Sequence, residues 1–365
     1  MKNIRTVKYF NLVVAILLSI VYLSGLIPPS KGFNLWITSF VIPVALVINH
    51  VLLIVSLLLR KKYTFFYFAS LLIGIPYLTG TIGIKHLLPK KNINGQTLSV
   101  LNYNIGSYSM RPYYYKNRDS ARMVLKNWIL ESESDIKCLQ EFANVPWSKE
   151  FNLLDQLDKT GQYYYFSVDA PVEQNDRFKK GTLIISKYPI IKSGDVLSST
   201  NGFNRIAYAD IKVDEDTIRI VNVHLESMGL NYSNPRSTTD LNTVKSQLHT
   251  ILSKLKVGVF ERSKQIRQLS DFIEQSPHPV VCAGDFNDLP YSYNYRQMKK
   301  HMKNSFEESG KGFGFTYNGG TLKMLRIDNQ FYTSGFRAEE FETLDNVKFS
   351  DHFPLRVQYL IEGVD

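Results

Sequence analysis

Only two cysteines occur in the 365 residues, Cys138 and Cys282, and neither has the paired spacing that holds zinc. Each lies three residues before a candidate site carboxylate, inside an apolar run, and reads as a small buried hydrophobe. A disulfide between neighbouring strands is the alternative, and spacing does not choose between the two. Acidic residues are missing altogether up to Lys91. Over that stretch stand Lys2, Arg5, Lys8, Lys31, Arg60, Lys61, Lys62, Lys85, Lys90 and Lys91, which account for the whole formal charge of +10. Residues 92–365 therefore sum to zero, and the basic balance is no sign of a phosphate-binding surface. This weighs against a processive nuclease, although a local basic groove stays open. No phosphate loop of P-loop spacing is present either. Gly310-Lys311-Gly312-Phe313-Gly314-Phe315-Thr316-Tyr317 is rich in glycine, but no helix pattern follows it. It reads as a mobile loop with aromatic contacts and receives no chemistry. No repeat and no low-complexity tract occurs.

What fills the acid-free stretch is apolar. Residues 9–26, 35–59 and 65–84 are three runs of membrane-spanning length. No small-residue cleavage site precedes Pro28-Pro29, so the first run does not read as a signal peptide. Trp36, Tyr63, Tyr67 and Tyr77 stand near the run ends, where amphipathic rings prefer the interface. Lys2, Arg5 and Lys8 precede the first run, and Arg60, Lys61 and Lys62 separate the second from the third. The positive-inside rule places both in the cytoplasm and residues after the third run outside. Lys85, Lys90 and Lys91 argue mildly the other way. Asn49 and His50 fall in the second run, either as functional groups or as interhelical hydrogen bonds, the latter favoured.

Residues 92–97 form a polar linker, and from Leu98 short strands broken by polar turns replace the long runs. Strands are expected at 98–105, 135–142, 181–186, 205–213 and 217–225, with an amphipathic helix at 119–133. Such a succession suits an α+β body, two packed sheets with helices outside, over residues 98–365. Residues 231–240 read as a polar loop. Leu241, Val244, Leu248, Ile251 and Leu255 then recur at helical spacing, flanked by Lys245, Lys254 and Lys256. That helix either packs on the sandwich or touches the membrane or a lipid substrate. A second amphipathic helix is expected at 265–274.

The most informative stretch is Pro279-Val280-Val281-Cys282-Ala283-Gly284-Asp285-Phe286-Asn287-Asp288-Leu289-Pro290. An apolar strand stops at Gly284, and Asp285 and Asn287 follow two residues apart before Pro290 bars continuation. Four more polar strand ends accompany it: Leu101-Asn102-Tyr103-Asn104, Cys138-Leu139-Gln140-Glu141, Asn222-Val223-His224-Leu225 and Ser350-Asp351-His352-Phe353-Pro354. In that order, across about residues 97–362, these five segments resemble the endonuclease/exonuclease/phosphatase superfamily of metal-dependent phosphoesterases with a DNase I-like fold. The resemblance implies a four-layer α/β sandwich of two mostly antiparallel sheets flanked by helices, behind an N-terminal three-helix transmembrane module.

Phosphoester hydrolysis needs a cation on the non-bridging oxygens, an oriented water and stabilisation of the leaving oxygen. Glu141 is a hard oxygen ligand of the kind that holds Mg²⁺, and the lack of cysteine or histidine clusters points to Mg²⁺ or Mn²⁺. The resemblance implies roles for the others. His224 would contact the scissile phosphate. His352 would serve as general base or cationic stabiliser, oriented by Asp328. Asp285 would position or deprotonate the attacking water, Asn104 and Asn287 would bond the phosphate or a metal-bound water, and Asp351 would complete the metal environment with Glu141 and Asn104. Two positions depart from the family pattern. Gly106 stands where nucleases often carry an acid, and Asn329 follows Asp328 where an aromatic residue or histidine is usual.

Three readings of function follow. A membrane-anchored Mg²⁺-dependent phosphoesterase on a lipid or lipid-linked phosphate leads, since some three-span members of the resembled family, similar in layout, are linked to lipid-carried phosphates. An extracytoplasmic nuclease and a catalytically silent interaction module are the alternatives. The expected partners are the phosphorylated substrate and the bilayer, without an obligate protein partner, and the expected location is a bacterial cytoplasmic membrane.

Overall fold

The computed structural model describes residues 2–84, 95–106, 118–149, 152–169, 179–198, 204–227, 241–319 and 322–362. Lys85, Lys90 and Lys91, the first part of the 92–97 linker and the 231–240 loop lie outside these residues.

The N-terminal part holds α1 (Lys2–Ser24), α2 (Pro29–Trp36), α3 (Ile42–Leu58), α4 (Thr64–Gly74) and α5 (Leu78–Thr81). Arg5–Ser24, Pro29–Leu58 and Thr64–Thr81 are long and apolar enough to cross a membrane. The second stretch is not one uniform helix. Pro29 starts α2, Gly32 takes a non-helical backbone within it, and a 3₁₀ turn at Ile37–Val41 leads to Pro43 in the first turn of α3. Trp36 is not at an exposed interface but fully buried, between the rings of Phe33 and Phe40. Asn49 is buried 3.2 Å from the hydroxyl oxygens of both Tyr22 and Ser70, a polar bridge among three helices. His50 Nδ1 lies 2.7 Å from the carbonyl of Leu46, one turn back.

The rest of the chain runs β1 (Thr97–Asn104), α6 (Arg118–Glu131), β2 (Ile136–Asn144), α7 (Leu153–Thr160), β3 (Tyr164–Asp169), β4 (Lys179–Ser186), β5 (Ile190–Ser198), β6 (Arg205–Val213), β7 (Asp216–His224), α8 (Leu241–Glu274), β8 (Val280–Asp285), α9 (Tyr293–Met298), β9 (Lys303–Asn304), α10 (Ser305–Ser309), β10 (Tyr317–Gly319), β11 (Leu322–Leu325), β12 (Asp328–Tyr332), β13 (Phe336–Thr343) and β14 (Leu355–Ile361). One sheet has the order β13-β14-β1-β2-β4-β3 and the other β5-β6-β7-β8-β12-β9. Among the described residues only β1–β2 and β7–β8 pair in parallel; the other pairs are antiparallel.

Period-two alternation builds the layers. Leu98, Val100, Ile136 and Cys138 of one sheet meet Ile218, Ile220, Val281 and Ala283 of the other in the central core. The opposite faces take helices. Leu125 and Ile129 of α6 and Leu157 of α7 cover Tyr103, Leu139 and Leu183. Ile266, Leu269 and Ile273 of α8 cover Val221, Val280 and Cys282. The two cysteines are thus free and buried in different layers, which resolves the disulfide alternative. The helices expected at 241–255 and 265–274 are one continuous helix of 34 residues, because nothing between them breaks the helical ladder.

The two parts meet at one end of the apolar module. Gly83 and Gly312 exchange backbone hydrogen bonds of 2.7 and 3.0 Å, and Arg326 Nη2 donates to Gly80 O at 2.6 Å. Phe33, Ile37 and Phe40 pack with Leu255, Leu289 and Ile327. The stretch expected as a mobile loop, 310–317, is therefore clamped: Gly312 pairs with Gly83, and Thr316 with Leu325 and Phe353.

Candidate active site

The site forms where five strands end. Asn104, His224 and Asp285 stand in register phase with the central-core faces of β1, β7 and β8, two residues beyond Asn102, Asn222 and Ala283. Asp285 lies beside His224 in the parallel ladder and opposite Asp328 in the antiparallel one. Gly284 between them has φ +148°, and a Cβ there would lie 2.0 Å from Val223 O, so the close approach of β7 to β8 requires glycine. Glu141 reaches the same cleft by another device. The register of β2 shifts between Leu139 and Phe142, both on the helix-facing side, and Glu141 takes φ +49° in the bulge. The bulge turns a carboxylate that would face the helices toward the site instead.

Asp285 is the hub. Its Oδ2 accepts from Asn104 Nδ2 at 3.0 Å and Asn287 Nδ2 at 3.3 Å, and lies 3.7 Å from His352 Nε2 and 3.9 Å from His224 Nε2. Its Oδ1 accepts from the backbone of Asn287 at 2.8 Å. Asn287 sits at φ +50° and also donates to Leu225 O at 3.1 Å, fixing the turn after β8 to the end of β7. Glu141 Oε1 accepts from Asn104 Nδ2 at 3.2 Å and lies 3.8 Å from His224 Nε2. Asn104 Oδ1 is turned away to accept from Gly106 N at 3.0 Å, so Asn104 presents its Nδ2 to the Glu141 and Asp285 carboxylates.

His352 Nδ1 and Asp328 Oδ2 are 2.8 Å apart, and both side chains are buried. Burial works against a charged imidazolium, but the carboxylates of Asp328, Asp285 and Asp351 outweigh it and push His352 up to about 10. Burial pushes Asp328 up as well, so the pair holds its shared proton tightly. Asp351 is half-buried and bonds with Ser350 Oγ at 3.2 Å. Among the described residues, the side chains close enough to one another to group around an ion are Asp285, Asp328 and His352, all within 4.8 Å. Glu141 is outside that group, with its side chain one-third exposed on the open side of the cleft.

A divalent cation fits this donor set. The imidazole–carboxylate bond already occupies one pair of the enclosed group, and Asp285 is ringed by N–H donors. Glu141, with one oxygen held by Asn104 and its side chain one-third exposed, is a hard and accessible oxygen donor of the kind that suits a divalent cation.

Several supporting residues escaped the motif reading. Four buried amides floor the cleft: Gln140 Nε2 donates to Asn222 Oδ1 at 2.7 Å, and Gln330 Nε2 to Asn102 Oδ1 at 3.0 Å. Each pair joins the two sheets. Asn102 and Asn222 lie two residues before Asn104 and His224, and that period-two spacing of polar side chains in otherwise apolar strands is the signal that reveals them. Thr316 and Tyr317 are the others. Thr316 Oγ1 accepts from the backbone of Ile327 and Asp328 at 3.2 and 3.1 Å, and the Tyr317 ring stands edge-on to His352 at 5.0 Å. Arg326 is not aimed at the cleft: its Nη1 donates to Asn329 Oδ1 at 2.8 Å, and it lies 4.0 Å over the Phe306 ring.

Comparison with known proteins bears on the family and the fold. A model described as "Endonuclease/Exonuclease/phosphatase family" matches residues 92–352, and one described as a domain of unknown function matches residues 4–81. Among solved structures, an endonuclease/exonuclease/phosphatase from Beutenbergia cavernae DSM 12333 is similar at 16% identity, with 73% of this chain and 72% of that chain covered and a TM-score of 0.52. A family protein from Bacteroides thetaiotaomicron is similar at 16% identity, with 74% and 100% covered and a TM-score of 0.51. No curated protein sequence matches.

Proposed function

Because the chain belongs to the endonuclease/exonuclease/phosphatase family of divalent-metal-dependent phosphoester hydrolases, we propose that it is a membrane-anchored phosphoesterase, loaded with Mg²⁺, that acts on a lipid or lipid-linked phosphate. The observation that carries the lipid reading is the seat of the site on the apolar module. Leu289, four residues after Asp285, and Ile327, next to Asp328, pack with Phe33, Ile37 and Phe40, and Arg326 bonds Gly80 O. A substrate confined to the bilayer then shares a thin layer with the site, which raises its effective concentration. The contacts at Phe33, Gly80 and Gly83 all lie at the end of the module away from Arg5, Lys8 and the Arg60–Lys62 turn. With the basic end in the cytoplasm, this arrangement supports a catalytic domain outside it.

Glu141, with Asp351 beside His352, would hold the cation, which supplies charge neutralisation at the non-bridging oxygens. His224 Nε2, between Glu141 and Asp285, donates to the phosphate, while the Asn104 and Asn287 amides hold Asp285 in place. Asp285 orients the attacking water and accepts its proton. His352 faces the same point through Nε2, while Asp328 on Nδ1 fixes the ring and its proton, so the imidazolium stabilises the charge that gathers in the transition state.

The test is phosphate release by the purified full-length chain in detergent, with Mg²⁺ or EDTA, from a polyprenyl pyrophosphate and from short DNA in parallel, with His352→Ala as control. Metal-dependent release from the lipid alone supports the reading. Cleavage of DNA alone would make the chain a tethered nuclease, and the charge argument would fail.

A further inference from the structure

Helix α8 carries one apolar stripe from end to end, and only part of it has a protein surface to rest on. Leu255, Ile266, Leu269 and Ile273 are buried, against the apolar module at Leu255 and against the second sheet beyond it. Val244, Leu248 and Ile251 continue the same line by steps of three and four residues, yet they are 45, 54 and 41% exposed. The stripe leaves the protein where the helix passes α2: Leu255 packs with Phe33, and Lys256 Nζ lies 5.9 Å from the Phe33 ring.

Charge separates the possible occupants. From Leu241 to Phe260 the helix has no acidic residue. Lys245 and Lys256 fall on one flank of the stripe and Lys254 on the other, all three exposed. An apolar line bordered on both sides by long basic side chains matches acyl chains below and anionic headgroups beside them, the lysine stems lying along the apolar zone with their ammonium groups at the headgroups. A second copy of the helix would instead bring lysine against lysine.

We propose that residues 243–254 of α8 lie on an anionic bilayer leaflet as an interfacial helix, continuous with the spanning module at α2. The inference rests on the membrane-anchored reading above. It also gives the helix a bearing on the site, because its buried half holds the segment after His224: Arg262 Nη1 donates to Glu226 O at 2.9 Å, and Gln265 Oε1 accepts from Glu226 N at 2.9 Å.

The test places an environment-sensitive fluorophore at Leu248→Cys or at Ser253→Cys, on the opposite face, in the full chain. Nanodiscs of phosphatidylcholine and phosphatidylglycerol carry it, and wild type, whose two thiols are buried, controls for labelling. Quenching by doxyl-labelled lipid should be several-fold stronger at 248 than at 253, with the reverse order for aqueous iodide. Val244→Cys provides the same comparison should the Leu248 variant misfold. Equal iodide quenching at both positions overturns the proposal and leaves a solvated helix. Protection of position 248 from both quenchers, with disulfide-linked dimers on oxidation, overturns it in favour of a second copy. No turnover enters the readout, so it can fail while the phosphoesterase reading stands, and the converse.

Discussion

Replacing Asn222 by leucine tests whether the amide floor holds the two sheets in the phase the site requires. Asn222 is fully buried and makes three hydrogen bonds: Nδ2 to Leu139 O at 3.0 Å and to Leu183 O at 3.1 Å, and Oδ1 from Gln140 Nε2 at 2.7 Å. Leucine fills nearly the same volume, so the cavity contribution is small and the loss is polar. At about 1 kcal/mol net per bond the cost is about 3 kcal/mol. A fold of roughly 150–250 residues shifts about 2–4 °C per kcal/mol, so the melting temperature should fall by about 6–12 °C. Gln140 Nε2 keeps Cys138 O at 3.0 Å, so adding Gln140→Leu should cost less than Gln140→Leu alone, with a coupling of about 1 kcal/mol. The assay is thermal unfolding in detergent of wild type, both single variants and the double variant, followed by tryptophan fluorescence. Turnover measured well below the transition should also drop, by up to about 10²-fold, because His224 is aimed by the same strand. A shift below about 2 °C with unchanged turnover would refute the reasoning, since it would mean that the buried amides neither stabilise nor position.

Glu141→Gln removes the charge at the open side of the cleft while keeping the acceptor for Asn104; isothermal titration should show Mg²⁺ binding weakened by roughly 10–100-fold, with melting in EDTA within about 1 °C of wild type. Asp328→Asn leaves a hydrogen-bonding partner for His352 but not the charge that holds its proton, so steady-state kinetics should show kcat reduced by about 10²–10⁴-fold with KM little changed. Lys137 is buried, donates to Leu130 O at 3.3 Å and lies 4.7 Å from the Tyr163 ring. Burial, with Lys187 nearby, lowers it from 10.5 to about 8. Between pH 8 and 10.5 the unfolded chain therefore binds the proton that the folded chain has released, and this group's contribution to stability rises with pH, by at most about 3 kcal/mol. The wild-type stability curve should climb across that window relative to Lys137→Met, and parallel curves in urea unfolding at several pH values would contradict it.

The sheet residues were legible because period two is hard to disguise. Val281 and Ala283 point to the central core, so Asp285 must follow them, and the same holds for Ile218, Ile220 and His224. Glu141 was legible only through its motif: strict alternation from Leu139 would bury it under α6, and the bulge that turns it has no marker such as glycine. The amide floor was readable in principle, but each amide looks like a polar defect until the two sheets are paired. Thr316 and Tyr317 lay beyond reading, because the glycines before them suggest mobility and part of their clamp, His352 and Phe353, is distant in sequence. Hydropathy gave the three apolar stretches but not the break in the second, where Gly32 and Pro43 compete with an otherwise helical composition.

Least legible was the seat of the spanning module on the site, and there the physical cause is specific. Part of the contact is made by backbone, which has no side-chain signature. Gly83 and Gly312 pair as a short antiparallel bridge, and a Cβ on Gly83 would stand 2.3 Å from the carbonyl carbon of Gly310, so this approach excludes any other residue. Arg326 completes it by donating to Gly80 O, with its guanidinium over Phe306 and its other arm on Asn329. Arg326 is two residues from Asp328, and Asn329 directly follows that aspartate. The bond that seats the module is therefore part of the segment that orients His352.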